Sequence, residues 1–285
     1  MSRWRRALAL LGGAPVAAAI ASAAMAAPVA VDLELVIATD VSRSINQGEA
    51  LLQRRGIAEA FRNPAVIRAI QSGFLRKIGV AYIDYSSRAF NRIVIDWTVV
   101  QGRESAESFA SRLLAAPLTF GRRTSISDAI EQAREMIESN GIEGTRRVID
   151  VSGDGPNNFG NFVDAVRDAT ISRRITINGL PILNRADAFD SRFYLPDLDK
   201  YYRGCVIGGP GAFLVVAGSF EDFARAIRRK LILEIAGTAP QFDHAFSGYL
   251  VPVSSPQRLR PSPSGYVYPR GCDIGERMWN YWFNP

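Results

Sequence analysis

The stretch ATDVSRS, residues 38–44, closes an apolar run with an acid and follows it with hydroxyls at alternating positions, Ser42 and Ser44. Side chains in extended backbone repeat every two residues, so Asp40, Ser42 and Ser44 fall on one side of the segment. Two further oxygen-bearing side chains stand at similar junctions: Thr124 precedes a long helical segment, and Asp154 lies in GDGPNN just after the apolar RRVIDVS. Two carboxylates and three hydroxyls, with no nitrogen or sulfur, suit a hard divalent cation that keeps part of its water. Mg²⁺ fits this set best, with Ca²⁺ and Mn²⁺ as alternatives. Each residue also has a purely local role open to it. Ser44 and Gln47 have the spacing of a capping box, Thr124 has the place of an N-cap, and Asp154-Gly155 reads as a turn. The joint occurrence of all three loops after suitable strands favours the metal site. Asp84, Asp128 and Asn157 are nearby polar residues open either to a supporting role or to ordinary turns and helix starts.

These loops need a scaffold that brings them together, and the chain alternates strand and helix patterns from residue 32 onward. LELVIAT (33–39) is a near-continuous apolar run, as expected of a strand buried on both faces. An amphipathic helix over Ile45–Phe61 closes near Asn63 and Pro64. KIGVAYIDYS and NRIVIDWTVV, separated by the turn-prone SSRAF, predict an antiparallel pair at an edge. Helices follow at ESAESFASRLLAA and at SISDAIEQAREMIESNG, the latter ended by Gly141. Then come the strand RRVIDVS, the helix NFVDAVRDATISR, the strands ITINGLPIL and AFLVVAG, and the closing helix SFEDFARAIRRKLILEIAG. This order predicts an α/β fold: a doubly wound, mostly parallel sheet with one antiparallel edge strand and helices on both faces. In such sheets ligands bind at the carboxyl ends of the strands, where all three oxygen-bearing loops fall. Residues 184–211 form a longer connection with room for one short helix, and no internal repeat is present.

The flanks are of different composition. Residues 1–26 have a basic start, an Ala-rich apolar middle and small residues at Ala24 and Ala26, the pattern of a secretory signal peptide cleaved after Ala26. Gly12, Gly13 and Pro15 interrupt the run, which makes a retained membrane anchor the weaker reading. Arg5 and Arg6 hint at twin-arginine export, but ordinary secretion is preferred. Losing Arg3, Arg5 and Arg6 lowers the formal net charge from +6 to +3. The remaining arginines come as scattered pairs (54/55, 122/123, 146/147, 173/174) read as solvated helix ends and turns, and no aromatic-laced basic patch marks a nucleic-acid partner. Cys205 and Cys272, the only two cysteines, pair without remainder in an oxidising compartment. With the single histidine, His244, they are too few for an ordinary structural zinc site, and His244 is read as a surface residue of the tail. The expected organisation is a signal peptide (1–26), one domain (27–237) and a Pro-rich, extended C-terminal segment with an aromatic end (238–285).

DVSRS, Thr124 and Asp154-Gly155, in this order and after these strands, resemble the von Willebrand factor type A family over residues 32–237. More narrowly, VIDVSGDGPNN and YYRGCVIGGPGAF resemble a secreted bacterial subgroup of that family with no assigned function (DUF1194-like). The resemblance implies a metal-ion-dependent adhesion site held by Asp40, Ser42, Ser44, Thr124 and Asp154, with a position left for a carboxylate of a partner protein. Arg122 and Arg123 are then expected on the rim, favouring an acidic partner. The function expected is a periplasmic or secreted protein-binding module rather than an enzyme, with no membrane span after signal cleavage. The alternative is a Mg²⁺-dependent hydrolase, for example of phosphate esters. No motif places a general base for it, and Ser42 stands where the aspartyl-phosphate D-x-D pattern needs an acid.

Overall fold

The structure, a computed structural model, describes residues 27–184, 194–237, 250–252 and 266–283. The expected signal peptide, His244 and most of the C-terminal segment lie outside the described residues. Among the described residues seven strands form one sheet: β1 (Val29–Asp40), β2 (Ile78–Tyr85), β3 (Arg92–Val100), β4 (Ile142–Gly153), β5 (Thr176–Pro181), β6 (Phe213–Val215) and β7 (Leu250–Pro252). Their order is β3-β2-β1-β4-β5-β6-β7. β1 runs parallel to β2, with Leu33 opposite Ile78, and to β4, with Leu33 opposite Arg146. β3 closes one edge antiparallel to β2 as predicted. At the other edge a short strand, β7, adds an antiparallel pairing with β6 to this mostly parallel sheet. It lies in the segment read as tail, where three residues are too few for a period-two pattern to stand out.

The alternation of side chains along β1 divides the core. Leu33, Leu35 and Ile37 pack with one set of buried residues. That set includes Ile57 and Phe61 of α1 (Gln47–Arg62), Val66 of α2 (Pro64–Gln71), Phe109 of α3 (Arg103–Ala115), and Phe223, Ile227 and Leu231 of α7 (Phe223–Ala236). Val36 and Ala38 face the opposite set: Ile126 and Ile130 of α4 (Ile126–Glu138), Val163 and Val166 of α5 (Val163–Ile171), and Tyr201, which ends α6 (Leu198–Tyr201). A strand enclosed on both sides has no solvent-facing side, and this accounts for the near-continuous apolar run in the sequence. Pro64 supplies the first turn of α2, a helix the sequence reading passed over, with Asn63 accepting from the Ala65 N–H at 2.9 Å. α4 ends at Glu138 with Ser139 as its cap, so Gly141 belongs to the entry into β4 rather than to the helix end.

Several charges are buried and paired. Lys230 of α7 contacts Asp150 of β4 at 2.6 Å and also Glu234, which accepts from Asn178 of β5 at 2.9 Å. Burial, with the Glu234 charge second, pushes Asp150 up to about 7. Arg54 forms a 2.5 Å ion pair with Asp84 and donates to the Ala116 carbonyl at 2.6 Å. Arg146 donates to the last carbonyls of α7 at 2.6 and 2.8 Å. The arginine pairs are therefore not uniformly solvated: Arg54 is buried while Arg55 is exposed.

The end of the chain departs most from expectation. Residues 274–283 form a helix, α8, rather than an extended segment, and Ile274 and Tyr268 are buried in the core beneath α4 and α5. Ile274, Met278 and Trp282 recur every four residues, a helical period that the preceding proline-rich composition obscured. Cys205, in the π-helical turn after α6, is disulfide-bonded to Cys272. Closing a loop of 67 residues' separation is worth ~4 kcal/mol of unfolded-state entropy in the chain-entropy model. Urea unfolding of oxidised and reduced protein is expected to show a loss approaching that size on reduction. A Cys272→Ser variant should match the reduced protein, and equal midpoints would remove the bridge from the stability of the fold.

Candidate metal centre

Asp40 ends β1 at the point where the strand order reverses between β1 and β4, and Asp154 leaves β4 beside it. Ser44 donates to Asp154 Oδ1 at 2.8 Å and lies 3.1 Å from Ser42 Oγ. Thr124 donates to Ser42 Oγ at 3.1 Å. All five sequence-selected residues thus meet in one cluster, a hydroxyl chain Thr124–Ser42–Ser44 leading to one carboxylate with the other beneath it. The local alternatives fail for two of them. The capping box of α1 is made by Asn46 and Glu49, not Ser44 and Gln47. The N-cap of α4 is Ser125, which accepts from the Asp128 N–H at 3.2 Å and leaves Thr124 to the cluster.

Asp40 is completely buried. Its Oδ1 accepts the Ser42 N–H at 2.7 Å, while its Oδ2 has no hydrogen-bond partner among the described residues. A Cβ on Gly153 would stand 2.6 Å from Tyr85 Oη, and 3.0 Å from both Asp40 Oδ2 and Tyr202 Oη, so glycine keeps the floor of the cluster open. Burial first, and the charge of Asp154 second, push the Asp40 carboxyl well above the ordinary carboxylate range. Burial also raises both Tyr85 and Tyr202, which stay neutral and cannot offset the negative charge. An oxygen-only donor set with an orphaned carboxylate oxygen fits a hard cation. No three His, Cys, Asp or Glu side chains among the described residues are placed to hold a metal together, so the cluster rests on its hydroxyls as much as on its acids.

Of the supporting candidates, Asp84 is held by Arg54, and Asp128 accepts the Arg88 N–H at 2.9 Å, fixing the β2–β3 connection. Asn157 is the most connected: it accepts from Ser127 N–H at 3.0 Å and donates to Glu276 at 2.7 Å. Sequence reasoning missed Asn158, whose side chain accepts the Thr124 N–H at 3.0 Å while its own N–H donates to the Thr124 carbonyl at 2.8 Å. It missed Tyr85 and Tyr202 as well, although Tyr202 lies in the YYRGC motif already singled out. Arg122 is exposed beside the cluster. The Arg123 guanidinium is stacked, 3.1 Å from the Trp279 ring centroid and 5.2 Å from that of Phe159.

The sheet order, the antiparallel β3 and the three converging loops define a von Willebrand factor A-like domain. The chain belongs to a family of proteins of unknown function (DUF1194), whose sequence profile matches residues 30–239. Among solved structures it is similar to proximal thread matrix protein 1 from the mussel byssus, with 13% identity, a TM-score of 0.52, and coverage of 74% of this chain and 48% of that one. A form of the same protein with a zinc-occupied MIDAS motif (the metal-ion-dependent adhesion site) aligns with a TM-score of 0.51 and 13% identity over 74% and 47% of the two chains. The pilus adhesin SpaC from Lactobacillus rhamnosus GG gives 0.53 and 11% over 72% and 31%. The chain thus spans about half of the mussel protein and a third of the adhesin; what is shared at these identities is the fold. No curated protein matches the chain in sequence.

The raised Asp40 fixes the sign of a pH effect in metal-free protein. A carboxyl whose folded-state pKa exceeds its unfolded value supports folding below the unfolded pKa and loses that support as pH rises through the folded one. Asp40→Asn is therefore expected to be more stable than the wild type near neutrality, with the difference shrinking as pH falls toward 4, near the ordinary aspartate value. Denaturant curves in EDTA across that range check it; a constant difference would show that Asp40 titrates normally.

Proposed function

We propose that this chain is a protein-binding module of the periplasm or the extracellular space. In this reading Asp40, Ser42, Ser44, Thr124 and Asp154 hold a divalent cation, Mg²⁺ foremost, through which the module engages a carboxylate on a partner protein. The observation that carries the proposal is the buried, half-unpartnered Asp40 facing a second acid across a chain of hydroxyls. The cation would supply a positive centre that two carboxylates neutralise in formal charge while neutral hydroxyls leave it receptive to one more anionic oxygen. Asp40 holds from below and excludes water, whereas the exposed Ser44 and half-buried Asp154 form the mouth. Exposed Arg122 favours an acidic partner at that mouth. The disulfide suits an oxidising compartment, and no described helix is long and apolar enough to cross a membrane.

A ligand that binds only the folded state stabilises it by about 2.7 kcal/mol at a hundredfold excess over Kd, enough to raise Tm by several degrees. Mg²⁺ is expected to do this for the wild type and not for Asp40→Ala, with Ser42→Ala and Thr124→Ala responding partially because water can replace a neutral ligand. Calorimetric titration with Mg²⁺, Ca²⁺ and Mn²⁺ ranks the ions, and a wild type that binds none sinks the proposal. Capture of partners from an envelope extract should be lost in EDTA. Phosphate-ester turnover that requires Mg²⁺ and disappears in Asp40→Ala would replace the binding module by the hydrolase.

A further inference from the structure

We infer that the C-terminal helix α8 is a working part of this site: pinned by the Cys205–Cys272 bond, it uses Glu276 and Trp279 to hold the loops of Asp154 and Thr124 in place. The inference rests on the cation reading of those loops and goes beyond it, because α8 lies outside the residues 30–239 that the family profile matches.

Three positions on one face of α8 meet the two loops. At Gly275 a Cβ would fall 1.9 Å from the Asn157 carbonyl oxygen and 3.1 Å from Pro156, so only glycine lets the helix come this close. At Glu276, Oε1 accepts from Asn157 Nδ2 at 2.7 Å, and Asn157 is in turn fixed to the first turn of α4 through the Ser127 N–H. At Trp279 the ring covers the Arg123 guanidinium, whose Nη1 reaches the Asn158 carbonyl at 3.3 Å. Asn158 grips the backbone of Thr124 in both directions. The contacts therefore run from α8 to Asn157, three residues after Asp154, and to Arg123, immediately before Thr124.

The disulfide places the start of the helix, and the buried Tyr268 and Ile274 set its depth. Phe283 stacks on Trp279 with ring centroids 4.3 Å apart and extends the same face by one more turn. Glu276 and Trp279 are positioning residues: Glu276 acts through Asn157 and Trp279 through Arg123. Covering Arg123 has a second effect: of the Arg122–Arg123 pair, it leaves Arg122 as the exposed one.

The test uses the full mature chain in its oxidised form, with Glu276→Ala, Trp279→Ala and Gly275→Ala, and the conservative controls Glu276→Gln and Trp279→Phe. Hydrogen exchange in metal-free protein is expected to speed up several-fold at residues 154–160 and 121–125 in the first three, with the rest of the sheet unchanged. Affinity for Mg²⁺ or Mn²⁺, read by calorimetry, should fall about tenfold or more, the usual effect of losing a residue that orients metal ligands. Glu276→Gln keeps the acceptor and Trp279→Phe keeps a ring, so both should recover most of the affinity. Reduction of the disulfide at a pH and temperature where the sheet stays folded should reproduce the alanine variants. Unchanged exchange and unchanged affinity across the set would overturn the inference. If the wild type binds no cation but its loops still loosen in the variants, the clamp stands and the cation reading falls.

Discussion

The carboxylate of Asp40 sits where no water reaches it, at the end of a strand that the fold buries on both faces, with one oxygen held by a backbone N–H and the other unmatched. An isolated buried charge is among the most unfavourable features a fold can carry, and the usual escapes are neutralisation, an ion pair or a bound cation. Elsewhere in this molecule the ion pair is chosen: Asp84 has Arg54, and Asp150 has Lys230. At Asp40 the charge that acts on the carboxyl is another acid, Asp154, and its surroundings include hydroxyls and neutral phenols. The contrast within one sheet separates carboxylates matched by a cationic side chain from Asp40, whose Oδ2 has no hydrogen-bond partner among the described residues.

Geometry then follows from topology. A parallel sheet whose order reverses between β1 and β4 leaves a crevice at the carboxyl ends of those strands, and Asp40 and Asp154 stand on either side of it. Thr124 arrives from the third side because Asn158 ties its backbone to the loop after β4. The three loops are consequently one hydrogen-bonded body, and the C-terminal helix lies against its outer wall.

Much of this was legible in the sequence because it depends on period and on residue chemistry. The apolar run of β1, the antiparallel edge pair of β2 and β3, and the convergence of the three loops all follow from alternation and strand order. What was not legible depended on competition between neighbours. Ser44 and Asn46 both offer an N-cap to α1, and only the fold decides that Asn46 takes it with Glu49. Likewise Ser125 rather than Thr124 caps α4. Arg54 and Arg123 read as surface charge because their partners, Asp84 and Trp279, are remote in sequence. The helical period of α8 was present but stood behind a proline-rich stretch and was attributed to it.

The central position of β1 has a kinetic side. It is the first strand among the described residues, yet Leu33 finds its partners at Ile78 and at Arg146, so one half of its ladder waits on a contact more than a hundred residues away. Pairings of such long separation are slow, and an unpaired apolar strand is the part of a nascent chain most prone to pair with another copy. Until β4 emerges, the largely apolar strand β1 presents an edge of unpaired backbone N–H and C=O groups. The chain's vulnerable period ends when that edge closes, and the same event brings Asp154 to Asp40.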